Sequence, residues 1–130
     1  MKLLKGVVLT GLATALLAGA AWAGNMEARF GNTVVAKLSN GDVSKLYYNA
    51  DNTFTADATQ GGAETKTKGT WRQDGDNLCI TSEAAFGAFE AGKERCVPLQ
   101  GDKVGDSWQS KFPGPDGAEM TLDVSIVAGR

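Results

Sequence analysis

From residue 33 onwards, apolar and polar side chains alternate one by one, and that rhythm restricts the chain to very few kinds of structure. Met120, Leu122, Val124 and Ile126 alternate with Thr121, Asp123, Ser125 and Val127. Trp108, Ser110 and Phe112 share one parity, and Gln109 and Lys111 take the other. Thr65, Thr67, Gly69 and Trp71 oppose Lys66, Lys68, Thr70 and Arg72. Successive side chains of a strand point to opposite faces, so a period of two describes strands with one face on a core and one in water. No long stretch carries helical periodicity.

Turn chemistry punctuates the runs. Asn40-Gly41 separates residues 34–38 from Val43–Tyr48, a strong hairpin signal. Asp51-Asn52 precedes Thr53-Phe54-Thr55-Ala56, Gly61-Gly62 opens the Lys/Thr strand, and Asp74-Gly75-Asp76 leads into Asn77–Ser82. Gly101-Asp102 follows Leu99, and Pro113-Gly114-Pro115-Asp116-Gly117 precedes the last run. Glycine and asparagine supply positive φ at such places, and proline stops further pairing. The expectation is an all-β domain of about eight strands, short loops making sequential strands antiparallel neighbours. Such an up-and-down meander manages its edges by closing, or nearly closing, into a barrel or a tight sandwich. An eight-stranded barrel has room inside for side chains or one small ligand.

The first residues read differently. Met1-Lys2-Leu3-Leu4-Lys5 is a basic start, residues 6–18 are apolar apart from Thr10, and Ala21-Trp22-Ala23 offers small residues for a cleavage site. That order is expected of a secretory signal peptide. The apolar run, about 13 residues, falls short of the roughly 20 that span a bilayer, which sets it apart from an uncleaved anchor. The expected division is a signal peptide over 1–23 and a single domain over 24–130, with the protein periplasmic or secreted. Without Lys2 and Lys5, 11 basic residues remain against 15 acidic ones, a net charge of −4. A basic stripe for nucleic acid is absent, and no Lys/Arg cluster addresses an anionic membrane.

Cys79 and Cys96 both lie in the exported part, where an oxidising compartment favours pairing. The bridge closes a loop of about 18 residues, worth roughly 3 kcal/mol on the chain-entropy account. Parity supports it. Leu78 and Ile80 face the core and turn Cys79 outward; Val97 and Leu99 do the same for Cys96. Both sulfurs then sit on the outer side of adjacent strands. The residues between them, 82–92, carry Phe86 and Phe89 with alanines and a terminal glycine, which suits a short helix or a compact loop. The two rings plug a barrel mouth, or form an exposed contact loop or ligand gate, or belong to a segment disordered between the staple points.

Catalytic and metal chemistry find little footing. The chain has no histidine, so Ser-His and Cys-His activation and the commonest zinc ligand are missing. Asp74 and Asp76 flank a turn glycine, where both stay ionised and ill suited to acid–base work. Calcium binding by Asp74, Asp76 and Asn77 lacks the full loop pattern, and Asp51-Asn52 and Asp57 read as turn residues. No catalytic, cofactor or metal residues are assigned. Lys66, Lys68 and Arg72 form an outward basic row, a solvated face or a surface for an acidic partner. Phe54, Trp71, Trp108 and Phe112 fall at inward parities and serve either as core or as a small apolar pocket between Trp71 and Trp108.

Tyr47-Tyr48-Asn49-Ala50-Asp51-Asn52-Thr53-Phe54-Thr55, then Gly69-Thr70-Trp71-Arg72-Gln73-Asp74-Gly75-Asp76-Asn77-Leu78-Cys79, with Cys96 downstream, resembles a group of small secreted proteobacterial domains of unknown function. Gly69-Thr70-Trp71 is also similar to the glycine-x-tryptophan strand of lipocalin-like and protease-inhibitor barrels. These are hairpin and core motifs, so the resemblance implies architecture. The chain departs from the inhibitor barrels at Gly24-Asn25-Met26-Glu27-Ala28-Arg29, where no inhibitory segment is recognisable. The expected function is a non-enzymatic exported barrel that binds a small apolar ligand or a partner protein. The alternative is an inhibitor or chaperone of an exported enzyme, engaging it through Phe86 and Phe89.

Overall fold

The computed structural model describes residues 24–113 and 117–130. The expected leader, 1–23, lies outside the described residues, as do the central residues of the 113–117 turn. A single 3-10 turn, Glu27–Arg29, is followed by eight strands: β1 (Thr33–Leu38), β2 (Val43–Tyr48), β3 (Thr53–Gln60), β4 (Ala63–Asp74), β5 (Asn77–Ser82), β6 (Arg95–Pro98), β7 (Ser107–Pro113) and β8 (Glu119–Val127). All pairings between strands are antiparallel, and one sheet holds all eight strands in the order β6-β5-β4-β3-β2-β1-β8-β7.

The sheet curls into a half-barrel. Every strand pairs with the next in sequence except β6 with β7, and β8 pairs back onto β1. One seam between β6 and β7 therefore interrupts an otherwise complete up-and-down circuit. The composition of the edges accounts for it. β6 has only four residues and ends at Pro98, and β7 ends at Pro113; proline has no N–H to give to a ladder. Residues 99–106 run from one bank of the seam to the other.

Turns follow the residues that demand them. At the β1–β2 hairpin, Gly41 takes φ +97° and its N–H donates to the Leu38 carbonyl at 3.0 Å. The inward face is the apolar parity throughout: Val34, Ala36, Leu46, Tyr48, Phe54, Ala56, Trp71, Leu78, Ile80, Val124 and Ile126 are all buried. Gly69 explains the glycine of the Gly-x-Trp step. A Cβ there would collide with the Thr81 carbonyl and come within 2.8 Å of the Phe54 ring. The strand gives up a side chain so that Phe54 can lie flat on its backbone.

The disulfide joins Cys79 to Cys96, directly opposite one another in the β5–β6 ladder with Cα atoms 3.9 Å apart. It lies on the outer face, as parity requires, fastening the short edge strand β6 to its neighbour. Outside it, Arg72 Nε donates to Glu94 at 2.7 Å, and Cys79 is buried beneath this exposed pair while Cys96 is open to solvent. Of the two forms expected between the cysteines, the segment takes the loop. Phe86 and Phe89 exchange backbone hydrogen bonds of 3.1 and 2.8 Å around Gly87, whose φ of +54° makes a two-residue turn. Helix is avoided because that turn packs the Phe86 ring against Phe54, 6.2 Å between centroids, with the Phe89 ring 5.1 Å from Phe86.

Candidate apolar cavity behind the seam

The two ends of the half-barrel are closed by different means. At the end holding Tyr48, Trp71, Trp108 and Ile126, the segment of residues 24–30 lies across the opening. The Gly24 and Asn25 amides donate to the Leu99 and Gly101 carbonyls, and Met26 enters the core. Trp71 packs edge-on to Tyr48 and against Phe30, with its indole N–H donating to the Asn49 carbonyl at 2.9 Å. At the other end, the loop after β5 is tied down by Thr67 and Ser82, Ser82 Oγ donating to the Ala84 carbonyl at 2.6 Å. It inserts Phe86 into the core.

Between the two ends lies a cavity of about 220 Å³. Its walls are the inward residues of both seam banks, Val97 on β6 and Trp108, Ser110 and Phe112 on β7, together with Val34, Ala36, Leu46, Leu78, Ile80, Leu122 and Val124 from the sheet behind. It reaches the surface at the seam, where the exposed Pro98 and Lys111 line it. One arginine stands at each end. Arg95 is half-buried, donates to the Ala88 carbonyl at 3.2 Å and sits 5.6 Å over the Phe112 ring, bridging the seam by a cation–π contact.

Arg29, at the closed end, is 2 % exposed. Its Nη1 donates to the Asn25 and Gly101 carbonyls at 2.9 and 3.2 Å, and its Nη2 to the Gln100 carbonyl at 2.6 Å. Its Cζ lies 5.4 Å from the centroid of the Trp108 ring, over its face. Gly101 makes this closeness possible. At φ +84° it occupies the left-handed region, and a Cβ there would strike the Trp108 ring. Arg29 Nε is the only buried side-chain nitrogen or oxygen without a hydrogen-bond partner among the described residues. No carboxylate of the described residues pairs with it either. Neutral carbonyls satisfy its N–H groups but do not cancel its charge, and an isolated buried charge is among the most unfavourable groups a fold can hold. Burial pulls the guanidinium below the ordinary arginine value, and Tyr48 opposes the shift. Burial pushes the Tyr48 phenol well up, with Arg29 opposing. Tyr48 lines the same cavity, and its hydroxyl makes no hydrogen bond among the described residues.

The four inward aromatics expected to form one pocket are divided between two places. Trp108 and Phe112 line the cavity, whereas Phe54 and Trp71 are packed behind it in an aromatic cluster with Tyr48 and Phe30. Phe86 is 1 % exposed and stacks on Phe54, and Phe89 is half-buried and lines the cavity beside Arg95. The basic row is largely matched by acids: Lys66 pairs with Asp57 at 2.9 Å and Arg72 with Glu94, while Lys68 has no such partner among the described residues. Asp74 and Asp76 remain exposed at the β4–β5 turn, Asp74 lying 3.8 Å from Arg72. Asp51 accepts from the Thr53 amide and hydroxyl, a turn role. Among the described residues, Cys79, Glu94 and Cys96 alone are grouped closely enough to share a metal, and both sulfurs are committed to the disulfide.

No protein-family model, curated protein or solved structure matches the chain. No helix of the described residues is long and apolar enough to cross a membrane.

Proposed function

We propose that the chain is an exported, non-enzymatic binding domain that holds one small apolar-bodied ligand in the cavity behind the β6–β7 seam. The observation that carries this reading is the seam itself. The sheet leaves out one pairing, and at that place an apolar space opens between the two unpaired banks. Native interiors are close-packed, and few voids larger than a water survive in a domain of this size. A space of about 220 Å³ is half as large again as a dry cavity that accepts benzene, of roughly 150 Å³. Scaled from benzene's six, it suits a ligand of about nine non-hydrogen atoms. The disulfide and the leader-like first residues support export. The lipocalin-like resemblance supports a ligand-holding barrel in architecture alone. An inhibitor or chaperone acting through Phe86 and Phe89 needs both rings at the surface, and the burial of Phe86 favours the ligand reading over it.

Titration of the oxidised protein with octan-1-ol, followed by tryptophan emission and by methyl NMR shifts, tests the reading. Binding is expected to perturb Trp108 and the Val, Leu and Ile methyls of the cavity wall. Ala36→Leu, which fills the space from its back wall, is expected to abolish the response while leaving the fold intact. A response that survives Ala36→Leu and Trp108→Phe together places the alcohol elsewhere and overturns the reading.

A further inference from the structure

We propose that the ligand is an amphipathic anion, a short-chain or single-ring carboxylate, whose head group is received by Arg29 and Tyr48 at the closed end of the cavity while its apolar body lies along the wall towards Phe112. This deepens the binding role argued above and rests on it.

Three observations converge on the closed end. First, Arg29 is buried, carries a charge that no carboxylate of the described residues neutralises, and lines the cavity. Second, the hydrogen bonds it makes are distributed unevenly. Nη1 and Nη2 are held by the carbonyls of Asn25, Gln100 and Gly101, and Nε has no partner. Nε and one hydrogen of Nη2 lie along a single edge of the guanidinium, and a carboxylate meets such an edge with two parallel hydrogen bonds. Third, Tyr48 lines the same cavity, interacts electrostatically with Arg29 and has its hydroxyl free to donate. A carboxylate has more acceptor sites than one arginine edge uses, so a phenolic O–H complements it.

The setting also explains why an anion and not a neutral polar group belongs there. The three carbonyls and the face of Trp108 hold the guanidinium in one orientation before any ligand arrives. A donor fixed in a dry site loses little freedom on binding, and charge-assisted bonds strengthen where water is excluded. Arg95 offers a different environment. It is half-buried, and its charge is already set against Phe112 and the Ala88 carbonyl near the opposite end. The structure thus gives the cavity a polar floor and an apolar shaft.

Octanoate and octan-1-ol share a tail and differ at the head, so paired titrations separate the two claims. The wild-type protein is expected to bind octanoate at least tenfold more tightly than octan-1-ol at neutral pH. Arg29→Met is expected to erase that preference, and Tyr48→Phe to reduce it severalfold, whereas Arg95→Met leaves it in place. In the unmutated protein, the Nε–H resonance of Arg29 should move downfield with octanoate and stay put with the alcohol. That measurement stands even where Arg29→Met fails to fold. Equal affinities for the two probes with an unmoved Nε–H signal overturn the head-group assignment and leave the apolar cavity standing. Transfer of the effect to Arg95→Met overturns it likewise. Absence of binding by either probe sinks the cavity reading itself.

Discussion

Arg29 shows how little of a site can be visible in side-chain patterns. In the sequence it belongs to an unpatterned hexapeptide, and two of its three partners are backbone carbonyls 71 and 72 positions further on. Carbonyls have no signature in the amino-acid alphabet, so neither composition nor spacing identifies the contact. Parity, in contrast, placed Trp108 and Phe112 inward because each strand residue has a fixed face. What parity cannot supply is depth: Phe54 and Trp71 share that face but are packed behind the cavity. The floor also depends on Asp106. Its carboxylate accepts from the Asp102 and Lys103 amides at 2.9 and 3.3 Å, holding the loop that presents Gly101 to Arg29. The Asp102 amide bond above all holds the Asp106 carboxyl below the usual carboxylate range. A folded value below the unfolded one contributes stability above the unfolded value, near pH 4, and that contribution is lost as pH falls through the folded value. Asp106→Asn should therefore melt below wild type at pH 7, with the two melting temperatures converging as pH falls through the folded value.

At the scale of elements, the β4–β5 pair and the loop that follows form one packing unit. Gly69 admits Phe54, Phe54 receives Phe86, and the Phe86–Phe89 turn seals the end. Phe86→Ala should destabilise the fold by about 3–5 kcal/mol, as truncation of a fully buried phenylalanine does; chemical denaturation at constant slope measures it. Phe89→Ala, at a half-buried position, should cost clearly less and act mainly on ligand affinity. The strands and turns themselves were legible because glycine and asparagine turns separate runs of strict alternation. Whether residues 82–92 form helix or loop was not, since alanine suits either and the outcome was decided by a ring stack with Phe54, 32 residues away from Phe86. Tertiary packing regularly overrides weak local preference.

For the whole molecule, the decisive feature is a circuit of eight strands with one pairing missing. Alternation cannot announce that gap, because an unpaired edge strand and a paired one carry the same period. Pro98 and Pro113 hint at it only once their positions at the banks are known. The bridge from Cys79 to Cys96 anchors the four-residue bank β6, which has few ladder bonds of its own. Replacing both cysteines with serine should lower global stability by about 3 kcal/mol. It should also speed amide exchange in β6 well before the central strands β2 to β4. Ligand should restore part of the lost stability, by an amount that grows with the logarithm of its concentration.

With the two sulfurs reduced, the short bank hangs by its few ladder bonds alone. Oxidation pins that bank to β5 and so fixes one side of the seam behind which the cavity lies.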